Sequence, residues 1–230
     1  MNIIVPLAGP DFINPKGQIK GLQRLRGQPM LREVLMSRPW AAEAPSEAYH
    51  FALLDSDVSR QFAVNHLKDW FPNCSITFFQ HTTRGAALSA LALCAMLKRL
   101  DAPLIIDLAD ISYGANVDIT ELFKMEELGA AALTFPSTDS VYSYLKFDRF
   151  GGFLEAREKK VISTVASAGT YLFRSTATYI SAVAYALNNA ETCGYNDLFY
   201  VCPTFNGIKS QGLKVESVTV TNVCDIKQSY

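Results

Sequence analysis

Residues Met1–Leu31 read MNIIVPLAGPDFINPKGQIKGLQRLRGQPML, and the predicted fold depends on this stretch. The apolar run Asn2–Ala8 predicts a buried strand. Gly9 and Pro10 end that strand, a polar loop follows, and Lys20–Leu31 leads into a predicted helix. In an open α/β sheet, ligands bind on loops at the carboxyl ends of the strands. We therefore expect a ligand-binding loop directly after the first strand.

The residues up to 112 alternate between strand and helix patterns. Strands are predicted over Tyr49–Leu54, Cys74–Gln80 and Leu104–Asp110, and helices over Leu31–Met36, Val58–Phe71 and Ala86–Leu100. Strands that alternate with helices of this length indicate βαβ units. The first half therefore predicts an α/β fold of the Rossmann-like kind, with a mostly parallel central sheet flanked by helices.

The second half has more strand signals and fewer helices, which predicts a small β-rich part. We expect one domain over 1–230 with two halves, 1–112 and 113–230. The predicted elements are a strand at Ala130–Phe135, a hairpin of Ser143–Phe147 and Phe153–Arg157, a strand within Thr164–Phe173, helices at Ser175–Asn189 and Leu198–Gly207, and a strand at Lys214–Val223.

The composition is that of a globular protein without a charged binding field. Of the 230 residues, 49% are hydrophobic and 19% are charged, and the net charge is −1. We therefore expect neither nucleic acid nor membrane as a partner. The five cysteines include no Cys-x-x-Cys pair, and no signal peptide pattern begins the sequence, so we expect a cytoplasmic protein. The longest apolar helix candidate, Gly85–Leu97, is too short to span a bilayer.

The opening stretch resembles the sugar-nucleotidyltransferase family, the pyrophosphorylases of glycosyltransferase-A type. Leu7-Ala8-Gly9 matches the end of the family's first strand, Lys20-Gly21-Leu22 lies where the family has Lys-Pro-Leu, and Leu25–Leu31 matches its Gly-x-Pro-Met-Leu turn. The resemblance implies that Leu7, Ala8 and Gly9 contact a nucleotide. It also implies that Lys20 is catalytic and neutralises phosphate oxygens.

Two later segments of the first half are similar to the same family. Gln80–Ala92 resembles the family's strand-end glutamine and the helix that follows it, which implies that Gln80 contacts the base and Gly85 the nucleotide. The free N–H groups at a helix N-terminus suit an anionic phosphate. Ala109-Asp110 lies where the family has Gly-Asp, which implies that Asp110 binds the nucleotide and Mg²⁺. Asp107 is expected to point to the other face of the strand.

The second half carries the implied acceptor site. Its segments from Ser143 to Phe173 resemble the family's strand pair, Glu-Lys and Gly-x-Tyr-x-Phe patterns. The acceptor-binding residues implied are Tyr144, Glu158, Lys159 and Gly169. Asn222–Ile226 resembles the family's late Trp-Asp-Ile-Gly-Thr-Pro segment, with Lys227–Ser229 in place of Gly-Thr-Pro, and this implies Asp225 as a second metal ligand.

These resemblances imply an Mg²⁺-dependent nucleotidyltransferase of glycosyltransferase-A-like fold, with a nucleotide-binding half before residue 113 and an acceptor-binding half after it. Its partners would be an NTP and a small phosphorylated acceptor, such as a sugar phosphate. A phosphate oxygen of the acceptor would attack the α-phosphorus in line, and pyrophosphate would leave. The expected role is sugar-nucleotide synthesis for surface or capsule polysaccharide.

One departure from the family leaves alternatives open. The family loop carries Gly-x-Gly-(Thr/Ser)-Arg, whereas this chain has Pro10–Asn14, without the arginine. Lys16, in the same loop, is the first choice as its catalytic substitute; Arg24, Arg26 and Arg84 are the others.

Two other functions remain open alongside the transferase. A glycosyltransferase of the same fold would normally show Asp-x-Asp, and the spacing of Asp107 and Asp110 does not match. A nucleotide-binding or regulatory module that has lost catalysis is the other hypothesis. The base, the acceptor and any homo-oligomer are also left open.

Overall fold

The computed structural model describes residues 1–226, and its strands alternate with short helices. The strands are β1 Asn2–Pro6, β2 Arg24–Leu25, β3 Gln28–Pro29, β4 Tyr49–Leu54, β5 Ser75–Phe79, β6 Leu104–Asp107, β7 Ile111–Gly114, β8 Leu128–Pro136, β9 Tyr144–Phe147, β10 Phe153–Arg157, β11 Val165–Phe173, β12 Gly194–Tyr195, β13 Leu198–Phe199, β14 Lys214–Thr219 and β15 Thr221–Asp225.

The helices pack on both faces of the main sheet. They are α1 Met30–Met36, α2 Asp57–Phe62, α3 Lys68–Trp70, α4 Ala86–Cys94, α5 Ile119–Leu122, α6 Thr176–Asn188, α7 Ala190–Cys193 and α8 Phe205–Ser210. A π-helical turn over Ala63–Leu67 joins α2 to α3. Helix α6 begins where predicted, because the Ser175 hydroxyl accepts the Thr178 N–H at 3.1 Å.

The main sheet has the order β10-β9-β11-β6-β1-β4-β5, and β8 pairs with β11 and with β14. Strands β6, β1, β4 and β5 run parallel to one another. Each antiparallel pair of the main sheet includes a strand of the second half: β11 lies between β6 and β8, and the hairpin of β9 and β10 joins its other end. The predicted α/β class, with a mostly parallel central sheet flanked by helices, is confirmed.

Strand β1 is buried on both faces and divides the core into two clusters. Ile3 and Val5 belong to the cluster that covers one face, and Ile4 belongs to the cluster that covers the other. All three side chains are 0% exposed. Successive side chains of a strand point to opposite faces, so a continuous apolar run suits a strand that is covered on both sides.

The predicted helix over Ala86–Leu100 is too long, because α4 ends at Cys94. The chain then turns back towards β6. The carbonyls of Leu100 and Ala102 accept N–H groups at the start of α6, so they bond outside any helix of their own. Pro103 also disfavours helical backbone in the residue before it.

Three further boundaries differ from the predictions. The Leu104–Asp110 strand stops at Asp107, because Ala109 takes a left-handed φ of 55°. The Leu198–Gly207 helix is replaced by strand β13, a 3₁₀ turn and α8, since the Phe199 N–H bonds to Arg84 instead of continuing a helix. The last predicted strand is divided between β14 and β15 at Val220, whose N–H donates to Thr134.

Gly85 allows the loop before α4 to contact β13 closely. Its backbone lies at φ 103° and ψ 168°, a region almost restricted to glycine. A Cβ atom at this residue would lie 2.3 Å from the Phe199 carbonyl oxygen. The start of α4 therefore depends on the absence of a side chain here.

We expect Gly85→Ala to lower the free energy of unfolding by about 3 kcal/mol, because backbone strain adds to overpacking. Gly17→Ala is the matched control, since Gly17 also has a positive φ of 75° but has no atom within 4 Å of its Cβ position. The control should cost only about 1 kcal/mol. Urea unfolding measures both, and equal losses would contradict the predicted clash.

Candidate active site

A cavity of about 770 Å³ opens at the carboxyl ends of β1 and β6 and beside the start of α4. Residues from both halves of the chain line it. The predicted site residues among them are Leu7, Ala8, Gly9, Lys20, Gly85, Asp110, Glu158, Lys159, Gly169 and Asp225. The fold therefore brings together most of the residues that the sequence singled out, although their roles stay predictions.

Asp110 reaches the cavity because the chain turns sharply after β6. Ala109 is left-handed, and its N–H donates to Asp107 Oδ1 at 2.9 Å. The Asp110 carbonyl accepts the Ile226 N–H at 3.2 Å. Gly169 lies against the carboxylate, where a Cβ atom would lie 2.8 Å from Asp110 Oδ1. The small size of Gly169 thus leaves room for this carboxylate.

Asp225 is the last residue of β15, which pairs with β7. Strands β15 and β7 pair so that Asp225 is opposite Ile111, the residue after Asp110. The Tyr142 hydroxyl donates to Asp225 Oδ2 at 2.7 Å. Burial of Tyr142 and this hydrogen bond raise the pKa of the phenol above its usual range. Tyr142 therefore acts as a hydrogen-bond donor that orients the carboxylate.

Lys20 begins a 3₁₀ turn after the loop that follows β1. Its Nζ lies 3.5 Å from Asp11 Oδ2, and the Lys20 side chain is 21% exposed whereas that of Asp11 is 65% exposed. Both residues line the cavity. A phosphate that approaches Lys20 must therefore compete with a solvated carboxylate.

Glu158 and Lys159, the residues predicted to bind the acceptor, also line the cavity. Glu158 is 9% exposed and accepts a hydrogen bond from the Ser143 hydroxyl. Lys159 has a left-handed φ of 49°, and its Nζ lies 5.6 Å from the ring centre of Tyr195 and 5.9 Å from that of Tyr200. The cationic head is thus held beside two aromatic faces.

Three predicted site residues do not line the cavity. Lys16 lies in an exposed turn, where its N–H donates to the Asn14 side chain. The Gln80 amide donates to Asp55 Oδ2 at 2.7 Å, so a contact with a base would require this bond to break. Tyr144 is 0% exposed and its hydroxyl donates to a backbone carbonyl.

Three tyrosines line the cavity, Tyr142, Tyr171 and Tyr200, and none of them was among the predicted site residues. Tyr142 lies only two residues from Tyr144, and no local pattern separates the buried tyrosine from the cavity tyrosine. The arginines considered as substitutes for the loop arginine also lie elsewhere: Arg24 donates to the Gly27 carbonyl, Arg26 pairs with Glu33, and Arg84 donates to the Asp197 carbonyl. No arginine among residues 1–226 lines the cavity.

The charged residues that line the cavity favour a bound cation. Within the described chain they are four carboxylates, Asp11, Asp110, Glu158 and Asp225, and two lysines, Lys20 and Lys159. No group of three or more His, Cys, Asp or Glu side chains among residues 1–226 could hold a metal by itself. Mg²⁺ commonly binds through one or two carboxylates together with substrate phosphates and water. Asp110 and Asp225 therefore fit Mg²⁺ that arrives with a nucleotide. Lys227–Ser229, which follow Asp225 in the predicted family segment, lie outside the described residues.

Comparison with solved structures identifies the fold. The chain matches a nucleoside-diphosphate-sugar pyrophosphorylase from Vibrio cholerae RC9 with a TM-score of 0.80 and 18% identity, over 100% of this chain and 98% of that one. It matches a UDP-glucose pyrophosphorylase complexed with UDP-glucose with a TM-score of 0.68 and 13% identity, over 98% and 92% of the two chains. It matches a putative glucose-1-phosphate thymidylyltransferase from Bacillus anthracis, in complex with a sucrose, with a TM-score of 0.70 and 15% identity, over 98% of this chain and 89% of that one.

These likenesses show that the chain has the fold of the sugar-phosphate nucleotidyltransferases, as the resemblance in sequence predicted. No family model and no curated protein sequence matches it. No helix among residues 1–226 has the length and apolar character that crossing a bilayer requires.

We expect Gly169→Ala to weaken binding of Mg²⁺ with a nucleotide by about tenfold or more, because the new methyl group displaces the Asp110 carboxylate. Gly151→Ala is the matched control, since Gly151 also has a positive φ, of 83°, and nothing lies within 4 Å of its Cβ position. Isothermal titration calorimetry measures both variants. An unchanged affinity in folded Gly169→Ala would contradict the role given to Asp110.

Proposed function

We propose that this protein is an Mg²⁺-dependent nucleotidyltransferase, which transfers an NMP from an NTP to a sugar phosphate or a similar small phosphorylated acceptor and releases pyrophosphate. The observation that carries the proposal is that charged residues from both halves of the chain line one cavity. Lys20 and Asp110 come from the first half, and Glu158, Lys159 and Asp225 come from the second. A fold shared with sugar-phosphate nucleotidyltransferases supports the same reaction.

The reaction joins two anionic substrates, so positioning and charge neutralisation dominate. A phosphate oxygen of the acceptor forms a bond to the α-phosphorus, the bond from that phosphorus to the oxygen that bridges the α- and β-phosphates breaks, and pyrophosphate leaves with that oxygen. The acceptor phosphate is already an anion and needs no general base. When bound, Mg²⁺ supplies positive charge to the phosphates, and Asp110 and Asp225 would hold it.

The roles of the chain follow from its charges. Lys20 neutralises the phosphate oxygens of the NTP, and Lys159 binds the acceptor phosphate. Glu158 accepts hydrogen bonds from acceptor hydroxyls. The backbone of Leu7–Gly9 and the N-terminus of α4 at Gly85 contact the nucleotide. The first N–H groups of a helix have no partner within the helix, so the start of α4 favours an anion.

The glycosyltransferase alternative is disfavoured by Asp107. Its side chain is 0% exposed and forms a bidentate ion pair with Arg38, so only Asp110 of the two faces the cavity. The non-catalytic alternative is favoured by one observation, that no arginine within the described chain lines the cavity. Release of pyrophosphate distinguishes that alternative from the transferase.

Three further predictions concern the location of the protein, its biological role and the division of labour between its halves. A cytoplasmic location and a role in surface polysaccharide synthesis stay predictions, as does the division into a nucleotide-binding half before residue 113 and an acceptor-binding half after it.

The experiment is a pyrophosphate-release assay with each of the four common NTPs, with and without Mg²⁺, and with sugar 1-phosphates or phosphorylated amines as acceptors. Release that requires one NTP, Mg²⁺ and an acceptor would support the proposal. Nucleotide binding without release would instead favour the non-catalytic module.

We expect Lys20→Met to lower kcat by about 100-fold to 1,000-fold, because it removes a preorganised cation from the transferring phosphates. Lys98→Met, at an exposed residue that does not line the cavity, is the control for loss of a lysine and should keep the wild-type rate. A Lys20→Met rate equal to that of the control would remove Lys20 from the mechanism.

Lys16→Met tests whether Lys16 substitutes for the arginine that the family has in its loop. In the structure Lys16 lies outside the cavity, so we expect its loss to change kcat by about twofold or less, far below the effect of a preorganised donor. A loss as large as that of Lys20→Met would show that the loop closes over the nucleotide and that Lys16 takes the place of the arginine.

A further inference from the structure

Behind the cavity lies a fully buried ion pair between Arg38 and Asp107. Arg38 Nε donates to Asp107 Oδ2 at 2.6 Å, and Nη2 donates to Oδ1 at 2.9 Å. Both side chains are 0% exposed. The two residues are 69 positions apart in the sequence, so the pair ties the end of α1 to the end of β6.

The pair also bonds to the backbone on both sides of Asp110. Asp107 Oδ1 accepts the Ala109 N–H at 2.9 Å, and Arg38 Nη2 donates to the Ile111 carbonyl at 3.1 Å. Asp110 lies between these two bonded peptide groups. The ion pair therefore restrains the segment that carries the carboxylate into the cavity.

The segment of residues 109–111 begins with an unfavourable backbone conformation. Ala109 has a φ of 55°, which is unfavourable for a residue with a Cβ atom. The bond from its N–H to Asp107 holds this conformation, which turns the chain out of β6 so that Asp110 faces the cavity.

The ion pair is itself held from the side of β7 and β11. The Thr170 hydroxyl donates to Asp107 Oδ1 at 3.3 Å, and the Tyr113 hydroxyl donates to Thr170 at 2.7 Å. The Arg38 guanidinium carbon lies 4.0 Å from the centre of the Tyr113 ring. Thr170 follows Gly169, the glycine that lies against Asp110. Thr170 therefore connects the ion pair to the part of β11 that lies beside the Asp110 carboxylate.

Stability alone is a weak reason for this arrangement. A buried ion pair is often no more stabilising than apolar side chains of similar volume. Within residues 1–226, moreover, the buried Arg38 Nη1 and Tyr49 hydroxyl find no hydrogen-bond partner. Apolar packing would avoid that cost, but it would not bond to the backbone around Asp110.

We propose that Arg38 and Asp107 are positioning residues of the active site, which hold the backbone of residues 109–111 so that Asp110 can bind the metal–nucleotide complex. This inference rests on the proposed function, in which Asp110 is a metal ligand. Neither residue lines the cavity, so both would act through the backbone that carries Asp110.

The test is the double variant Arg38→Met/Asp107→Leu, which removes both charges together and leaves no unpaired charge in the core. Electron paramagnetic resonance of Mn²⁺, titrated in the presence of the NTP, measures metal affinity independently of turnover. We expect a folded protein with cooperative thermal unfolding, about 10-fold to 100-fold weaker Mn²⁺ binding and a lower kcat. The KM for the acceptor should stay at the wild-type value.

Lys214→Met/Glu127→Leu is the control, since this ion pair, with a 2.9 Å contact, joins two residues that do not line the cavity. It should bind Mn²⁺ as the wild type does. Wild-type Mn²⁺ affinity in the folded Arg38→Met/Asp107→Leu variant would overturn the proposal.

If that variant does not fold, Arg38→Lys decides instead. It keeps the charge beside Asp107, but a single ammonium group cannot reproduce the planar, two-nitrogen contact that also reaches the Ile111 carbonyl. Weaker Mn²⁺ binding in Arg38→Lys supports the proposal, and unchanged binding overturns it. If the wild type binds Mn²⁺ with an NTP but releases no pyrophosphate, the proposed function fails alone. If the wild type releases pyrophosphate but the variants bind Mn²⁺ normally, the positioning role of Arg38 and Asp107 is wrong and the proposed function stands.

Discussion

The structure depends on the burial of β1 between two parallel neighbours, β4 and β6. Both faces of a central parallel strand must be covered, so helices pack on each side and the core divides into two clusters. The parallel direction also brings the carboxyl ends of β1 and β6 to one edge of the sheet. The loops that leave this edge form the cavity, with the backbone after β1 on one side and Asp110 on the other.

Electrostatics at that edge define what the cavity can bind. Its lining within the described chain has more carboxylates than lysines, and Asp11 is already beside Lys20. A polyphosphate alone would meet repulsion there, whereas a phosphate that arrives with a divalent cation would meet carboxylate ligands. This charge balance favours a phosphate that is bound together with a divalent cation.

The site is built as much from contacts behind the cavity as from the residues that line it. Asp225 is oriented by Tyr142, and Asp110 lies between two peptide groups that bond to the Arg38–Asp107 pair. The glycine at 169 provides the space that the carboxylate needs. Such outer contacts explain how short loops can hold carboxylates at defined positions.

The sequence by itself predicted the nine strands of the main sheet and the helices α1, α4 and α6, because periodicity, glycine turns and caps are local signals. It predicted Lys20, Asp110 and Glu158 at one site, and the structure brings them to one cavity. It could not show that Gln80 bonds to Asp55, that Tyr142 and not Tyr144 reaches the cavity, or that Asp107 pairs with Arg38. Only the tertiary structure decided these contacts, because each joins segments that are distant in the sequence or depends on which of two similar side chains the packing buries.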